Sequence, residues 1–267
     1  MKPILLALCL APLAAIAQPD SLAPAKPAES AQPKPAASPA FIRHASGKSI
    51  VLPDELKTAG TAYHTVQIPG KQVTFTSKAL NAKFDGHSSA VIGYAVAGPA
   101  DNPAALKGGL WALPVKSLDT GNRTRDRHIA GKDWLDAATS PDIVFVLKEV
   151  KDIKAHKETA AGKSFTATLV GEMTIKGVTK PLTITEATLG FVTGTDKTAA
   201  IAKGDLLAIR CKYTVKLTDF GVDNENITKN QTVADEIEID QSLTLSTVPP
   251  EDQPQKSEGE KPAEKKN

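Results

Sequence analysis

The chain has 267 residues, of which 41% are hydrophobic, 4% aromatic and 23% charged, with a formal net charge of +2 at pH 7. This length allows one domain of ordinary size with tails, or two small ones. So small a net charge gives no reason to expect a nucleic acid or an anionic membrane surface as partner.

The chain opens on MKPILLALCLAPLAAIAQ, with Lys2, an apolar run from Ile4 to Ile16 and small residues before Gln18. The run is too short to anchor in a bilayer and has the form of a secretory leader over residues 1–17. A lipobox at Leu6-Ala7-Leu8-Cys9 would leave almost no apolar segment before the cysteine. With Cys9 lost on cleavage, Cys211 is the one remaining cysteine and no internal disulfide is expected, although export leads to an oxidising compartment. Residues 18–64 begin as an Ala/Pro-rich stretch unable to bury enough apolar area to offset its ordering entropy, and read as a linker. A weak apolar group within it (Ile50, Val51, Leu52, Leu56) has no clear assignment.

From residue 65 to 248 the pattern changes to alternation of apolar and polar residues. Val73, Phe75 and Ser77 share one face of a first strand. Phe84-Asp85-Gly86 reads as a turn before a strand on which Ala90, Ile92, Tyr94 and Val96 line up. Trp111, Leu113, Val115 and Ser117 follow, with Pro114 signalling an edge or bulge. Past a charged block, Ile143, Phe145 and Leu147 share a face. Phe165, Ala167, Leu169, Gly171, Met173 and Ile175 then alternate without a fault. Leu182 and Ile184 fall out of phase with Ala187, Leu189 and Phe191, predicting a bulge at Thr185 or Glu186. Two further strands carry Leu207, Ile209, Cys211, Tyr213, Val215 and Leu217, and Ile237, Ile239, Leu243 and Leu245.

Eight such runs joined mostly by turns predict an antiparallel all-β domain. Runs of ten or more residues favour a closed eight-stranded barrel over a sandwich, the alternative architecture. Lysine and glutamate rows on the polar faces, and aromatics placed within strands and not at their ends, favour a water-exposed exterior over a lipid-facing one. Residues 249–267 read as a charged, disordered tail.

No motif points strongly to catalysis. The five histidines lack metal-ligand spacing, and there is no phosphate loop or nucleophile elbow, so neither metal nor cofactor is expected. Cys211 sits on an apolar face and reads as an inert thiol. Arg125, Asp126 and His128 could polarise a head group at a barrel mouth. The structural alternative, favoured here, has Asp126 capping a helical turn or pairing with Arg125, with Trp134 and Leu135 as a plug.

This block carries a family resemblance. Thr120, Arg125-Asp126, His128-Ile129, Trp134-Leu135-Asp136, Pro141, Ile143 and Phe145 follow the pattern of the YceI family, as do FTATLVGEMTIKGVTKPLTI and the early Phe84-Asp85-Gly86. Ser140 stands where an aromatic is usual, Met173 replaces a Leu, and Thr74-Phe75-Thr76 departs from the family's first strand. The resemblance implies a lipocalin-like barrel with a short helical crossover, periplasmic and non-enzymatic. It would enclose a long isoprenoid, a quinone or a polyprenyl phosphate, as its partner. Within that picture alternation nominates Phe75, Tyr94, Trp111, Phe145, Phe165 and Tyr213 as lumen residues, with Arg125, Asp126 and His128 at the mouth. The rival readings are a filled barrel acting as a structural or stress-related interaction module, and an enzyme using Asp126 and His128 on a head group. Homodimerisation and proximity to a membrane are left open.

Overall fold

The computed structural model describes residues 50–67 and 70–253, together with a two-residue strand pair, Arg43–His44 against Gly47–Lys48. The leader, most of the linker and the tail from residue 254 lie outside the described residues.

Ten antiparallel strand segments form one sheet: β1 (Ala62–Thr65), β2 (Val73–Lys78), β3 (Lys83–Ser88), β4 (Ile92–Val96), β5 (Gly108–Pro114), β6 (Asp142–Thr159), β7 (Gly162–Ile175), β8 (Val178–Val192), β9 (Leu206–Lys216) and β10 (Glu236–Ser246). They occupy eight positions around a ring. Along one edge of β10, Leu245 and Ser246 pair with β1 while Ile237–Gln241 pair with β2, so β1 and β2 are one broken strand. Segments β3 and β4 are a second, since β3 pairs with β2 and β4 pairs with β1. On its other edge β10 pairs with β9 from Leu206↔Ser246 to Lys216↔Glu236, which closes the antiparallel eight-stranded barrel.

The fully buried Gln72 spans both breaks. Its side-chain oxygen accepts from Val91 N at 2.7 Å, and its backbone bonds Ser88 and Ser242. Satisfying these groups matters, because a buried backbone amide left without a partner costs about 1–3 kcal/mol.

Short helices sit mainly at the ends: α1 (Asp54–Lys57), α2 (Arg123–Ile129), α3 (Asp196–Ala199) and α4 (Glu225–Thr228). The expected bulge falls between Ile184 and Ala187, where Glu186 takes a left-handed backbone with φ 56°.

The fold corrects four expectations. Phe84-Asp85-Gly86 is not a turn but lies inside β3, where Gly86 leaves room for the Phe75 ring; a Cβ there would come 2.2 Å from that ring. Val115–Ser117 leave β5 as a 3-10 turn after Pro114. The linker does not run to residue 64, because Ala62–Thr65 is a barrel strand and Ile50, Leu52 and Leu56 pack on the barrel wall. The tail does not start at 249, because the Gln253 side chain bonds Lys203, Ser246 and Val248 and fastens Pro249–Gln253.

Candidate functional site

The interior is filled at one end and hollow at the other. Toward the end where β9 begins, Leu169, Leu189, Leu207, Ile209, Leu243 and Leu245 interlock, each at most 1% exposed. Tyr63, Phe165 and Phe191 add two edge-to-face ring contacts there, at 6.0 and 6.1 Å. Toward the opposite end the same strands surround a cavity of about 540 Å³. That volume lies within the usual range for small-molecule pockets, about 300–1,000 Å³.

Apolar side chains make most of its wall: Val73, Phe75, Val91, Trp111, Leu113, Ile143, Phe145, Met173, Ile175, Val215, Ile237 and Ile239. Strand register explains their grouping. Gly93, Trp111, Phe145 and Met173 stand side by side across β4 to β7, and Tyr213, Ile239, Phe75 and Gly86 stand side by side from β9 to β3. Trp111 and Phe145 stack at 5.6 Å between ring centroids. They fit because Gly171 lies against the Phe145 ring, where a Cβ would come within 2.6 Å of it.

A few polar groups interrupt this wall. Tyr213 Oη donates to Gln241 Oε1 at 3.4 Å, and burial pushes the Tyr213 phenol well above its ordinary pKa. The buried Trp111 indole N–H has no hydrogen-bond partner among the described residues. At the open end the cavity is lined by the exposed residues Lys83, Asn122, Thr124 and His128, which marks the mouth as the gap between the β2–β3 hairpin and α2. Asn226, Thr232 and Val233, in and after α4, form another part of the rim.

The charged block builds that mouth. Asn122 is the N-cap of α2, its Oδ1 accepting from Thr124 N at 3.0 Å and Arg125 N at 3.2 Å. Arg125 and Asp126 both close on Thr120. Asp126 Oδ1 accepts from Thr120 N at 3.0 Å and from Thr120 Oγ1 at 2.6 Å. Arg125 Nε donates to Thr120 Oγ1 at 2.9 Å, and its guanidinium lies 4.3 Å above the centre of the Phe84 ring. The cap expected at Asp126 is therefore supplied by Asn122, whose short side chain reaches the free amides of the first turn.

Of the nominated residues, Phe75, Trp111, Phe145, Tyr213, Arg125 and His128 line one cavity. Asp126 lies behind it, committed to Thr120. Phe165 faces inward but at the filled end, against Phe191. Tyr94 is not a lumen residue: with Val96, Leu110, Ala112 and Val144 it forms a cluster on the opposite face of the sheet, covered by Ile50, Leu52 and Leu56. The inward residues of β4 are the small Gly93 and Ala95, opposite Trp111 and Gly109. Gln241 was not nominated although its parity with Ile239 and Leu243 places it on the inward face; a polar residue in an apolar row was the signal.

Cys211 is buried, and burial pushes its thiol up to about 12. Among the described residues no cluster of His, Cys, Asp and Glu could hold a metal ion, and no helix is long and apolar enough to cross a membrane.

Several known proteins resemble this chain. A UPF0312 protein of Pseudomonas fluorescens is 37% identical over 113 residues, covering 42% of this chain and 51% of that protein. One of Pseudomonas paraeruginosa is 34% identical over 121 residues, covering 45% and 54%. The chain thus spans about half the length of the curated relatives it matches. Among solved structures, Burkholderia cenocepacia BcnA is 22% identical at a TM-score of 0.47, with 68% of this chain and 95% of that one covered. A polyisoprenoid binding domain from Saccharophagus degradans is 10% identical at a TM-score of 0.48, with 70% and 98% covered. The YceI-like domain model matches residues 64–245, which is the barrel from β1 to β10, and by that match the chain belongs to the YceI-like family.

Proposed function

We propose that this protein is a non-enzymatic, periplasmic binder or carrier of an isoprenoid or similar apolar lipid, a quinone or polyprenyl phosphate being the chemical class in view. The observation that carries the reading is the blind apolar cavity of about 540 Å³ in the open half of the barrel. Each Å² of apolar ligand surface taken from water there is worth about 25 cal/mol. The polar groups suit one end of such a molecule: Trp111 offers a buried donor without a partner among the described residues, and Gln241 and Tyr213 stand on neighbouring strands. A ligand acceptor at the indole would relieve a desolvation cost of about 1–3 kcal/mol. Membership of the YceI-like family agrees with a binding role. The non-enzymatic reading is supported by the commitment of Arg125 and Asp126 to Thr120 and by the lack of any carboxylate among the described residues that line the cavity with His128.

Both tryptophans of the chain, Trp111 and Trp134, line the cavity, so intrinsic fluorescence reports directly on occupancy. Adding a short-chain isoprenoid quinone to the delipidated protein is expected to quench that fluorescence saturably, and mass spectrometry of native protein is expected to show a co-purifying apolar lipid. Absence of both would overturn the reading in favour of a structural module.

A further inference from the structure

The rim of the cavity has a surface chemistry that neither the cavity nor the family match accounts for. Leu80 is 82% exposed at the tip of the β2–β3 hairpin. A lone exposed leucine is ordinary on a protein surface; this one is held in a fixed position beside an opening. Ala79 N donates to Ala82 O across the tight turn at 2.9 Å. Asn81 N and Nδ2 donate to Gln231 O and Asn230 O at 3.0 and 2.8 Å, tying the tip to the loop after α4. Ala82, Lys83 and Phe84, directly after the tip, line the cavity.

Cations crowd the side of the opening formed by the hairpin and α2, whereas the α4 side, residues 223–236, carries Asp223, Glu225, Asp235 and Glu236 against Lys229. Over residues 78–85 and 122–129 there are five, Lys78, Lys83, Arg123, Arg125 and Arg127, against two anions, Asp85 and Asp126. Asp85 is engaged by Thr76 and Asp126 by Thr120, while Lys78 is paired with Glu238. Arg123 and Arg127, one helical turn apart on α2, are exposed. The near-neutral charge of the whole chain conceals this local excess.

We infer that the cavity mouth docks on an anionic phospholipid surface, with Leu80 entering the headgroup region and Arg123 and Arg127 contacting lipid phosphates. An exposed leucine flanked by cations matches the chemistry of a membrane interface, where apolar contact and attraction to anionic lipid add. Docked this way, the mouth opens toward the bilayer, and an apolar chain passes between lipid and cavity without crossing water. The inference rests on the reading of the cavity as a lipid chamber, but the surface is tested independently of it.

The experiment is flotation of the full exported chain with vesicles of phosphatidylcholine alone or mixed with phosphatidylglycerol, for the wild type, Leu80→Ser and the double variant Arg123→Gln/Arg127→Gln. None of these three residues lines the cavity, so quinone quenching of tryptophan fluorescence in vesicle-free buffer serves as the control for folding and ligand binding. The wild type is expected to float with the anionic vesicles and to be released by salt. Each neutralised arginine should weaken binding roughly fivefold, and Leu80→Ser should weaken it severalfold, with quenching intact in both variants. A wild type that ignores anionic vesicles, or variants that float as well as it does, would overturn the docking surface. Flotation as expected but without any quinone quenching would leave the surface standing and remove the lipid-chamber reading.

Discussion

Thr120 is the residue on which the charged block converges: its N–H and hydroxyl donate to Asp126, and its hydroxyl and carbonyl oxygens accept from Arg125, four charge-assisted bonds in all. Bonds of this kind contribute about 1.5–3 kcal/mol each when a charged partner is removed. They hold α2 against the hairpin whose Phe84 ring supports the Arg125 guanidinium. Asp126→Ala is therefore expected to lower unfolding free energy by about 1–3 kcal/mol, measured in urea, because two donors of Thr120 lose their acceptor. Residual quinone binding in the refolded variant, with faster release, fits a positioning role; loss of a turnover with unchanged stability would instead support the enzyme reading. Sequence spacing displayed Arg125, Asp126 and His128 as one group, but the structure separates them. Asp126 faces Thr120, while Arg125 and His128 reach the cavity, a division set by helical phase and by the loop that precedes the helix.

At the scale of elements, the decisive contrast lies along β9 and β10. Leu207, Ile209, Leu243 and Leu245 fill the barrel, whereas past Cys211 on β9 and before Leu243 on β10 the lumen is open, at Tyr213, Gln241 and Ile239. The filled half is the floor of the cavity, and under the proposed binding role it sets the length of chain that enters. Leu243→Ala is expected to cost about 2–5 kcal/mol, measured by denaturant unfolding. Its cavity should also deepen, so that the variant gains affinity for longer prenyl quinones relative to shorter ones in fluorescence titrations. Equal relative affinities in variant and wild type would show that the floor does not set length. Alternation identified the inward residues of β7, β9 and β10 because these strands have one apolar and one polar face. It failed on β4, whose sequence IGYAV is apolar on both faces, and there the choice was made by packing. The outer face could be apolar because Ile50, Leu52 and Leu56 cover it, with Leu56 seated over Gly108.

For the whole molecule, the closed ring protects Tyr63 and Tyr213 inside and the covering segment with Ile50, Leu52 and Leu56 protects Tyr94 outside, and desolvation raises the pKa of all three. The unfolded chain releases phenol protons near pH 10, while the folded chain retains them. Below that pH both states are protonated and the tyrosines leave stability unchanged; as pH rises past it, stability falls. Ultraviolet titration should accordingly show little tyrosinate near pH 10, followed by a cooperative rise together with loss of β-sheet circular dichroism. A gradual rise centred on pH 10 with the fold intact would contradict the burial of these residues.

Sequence alone determined the antiparallel strand pattern, a bulge at Thr185 or Glu186 and most of the inward residues, and the family resemblance implied the short crossover helix. The first three follow from a side-chain period of two and from its interruption, which are local properties. The tertiary structure decided the rest: which end of the lumen is hollow, why Phe165 belongs to the packed end and Tyr94 to the outer wall, and how β1 and β2 share a single edge of β10. Those outcomes depend on whether large side chains meet other large ones or glycines across the barrel, and on a covering segment far away in sequence. Alternation records which face a residue is on, but the volume left between faces is a property of all eight positions together.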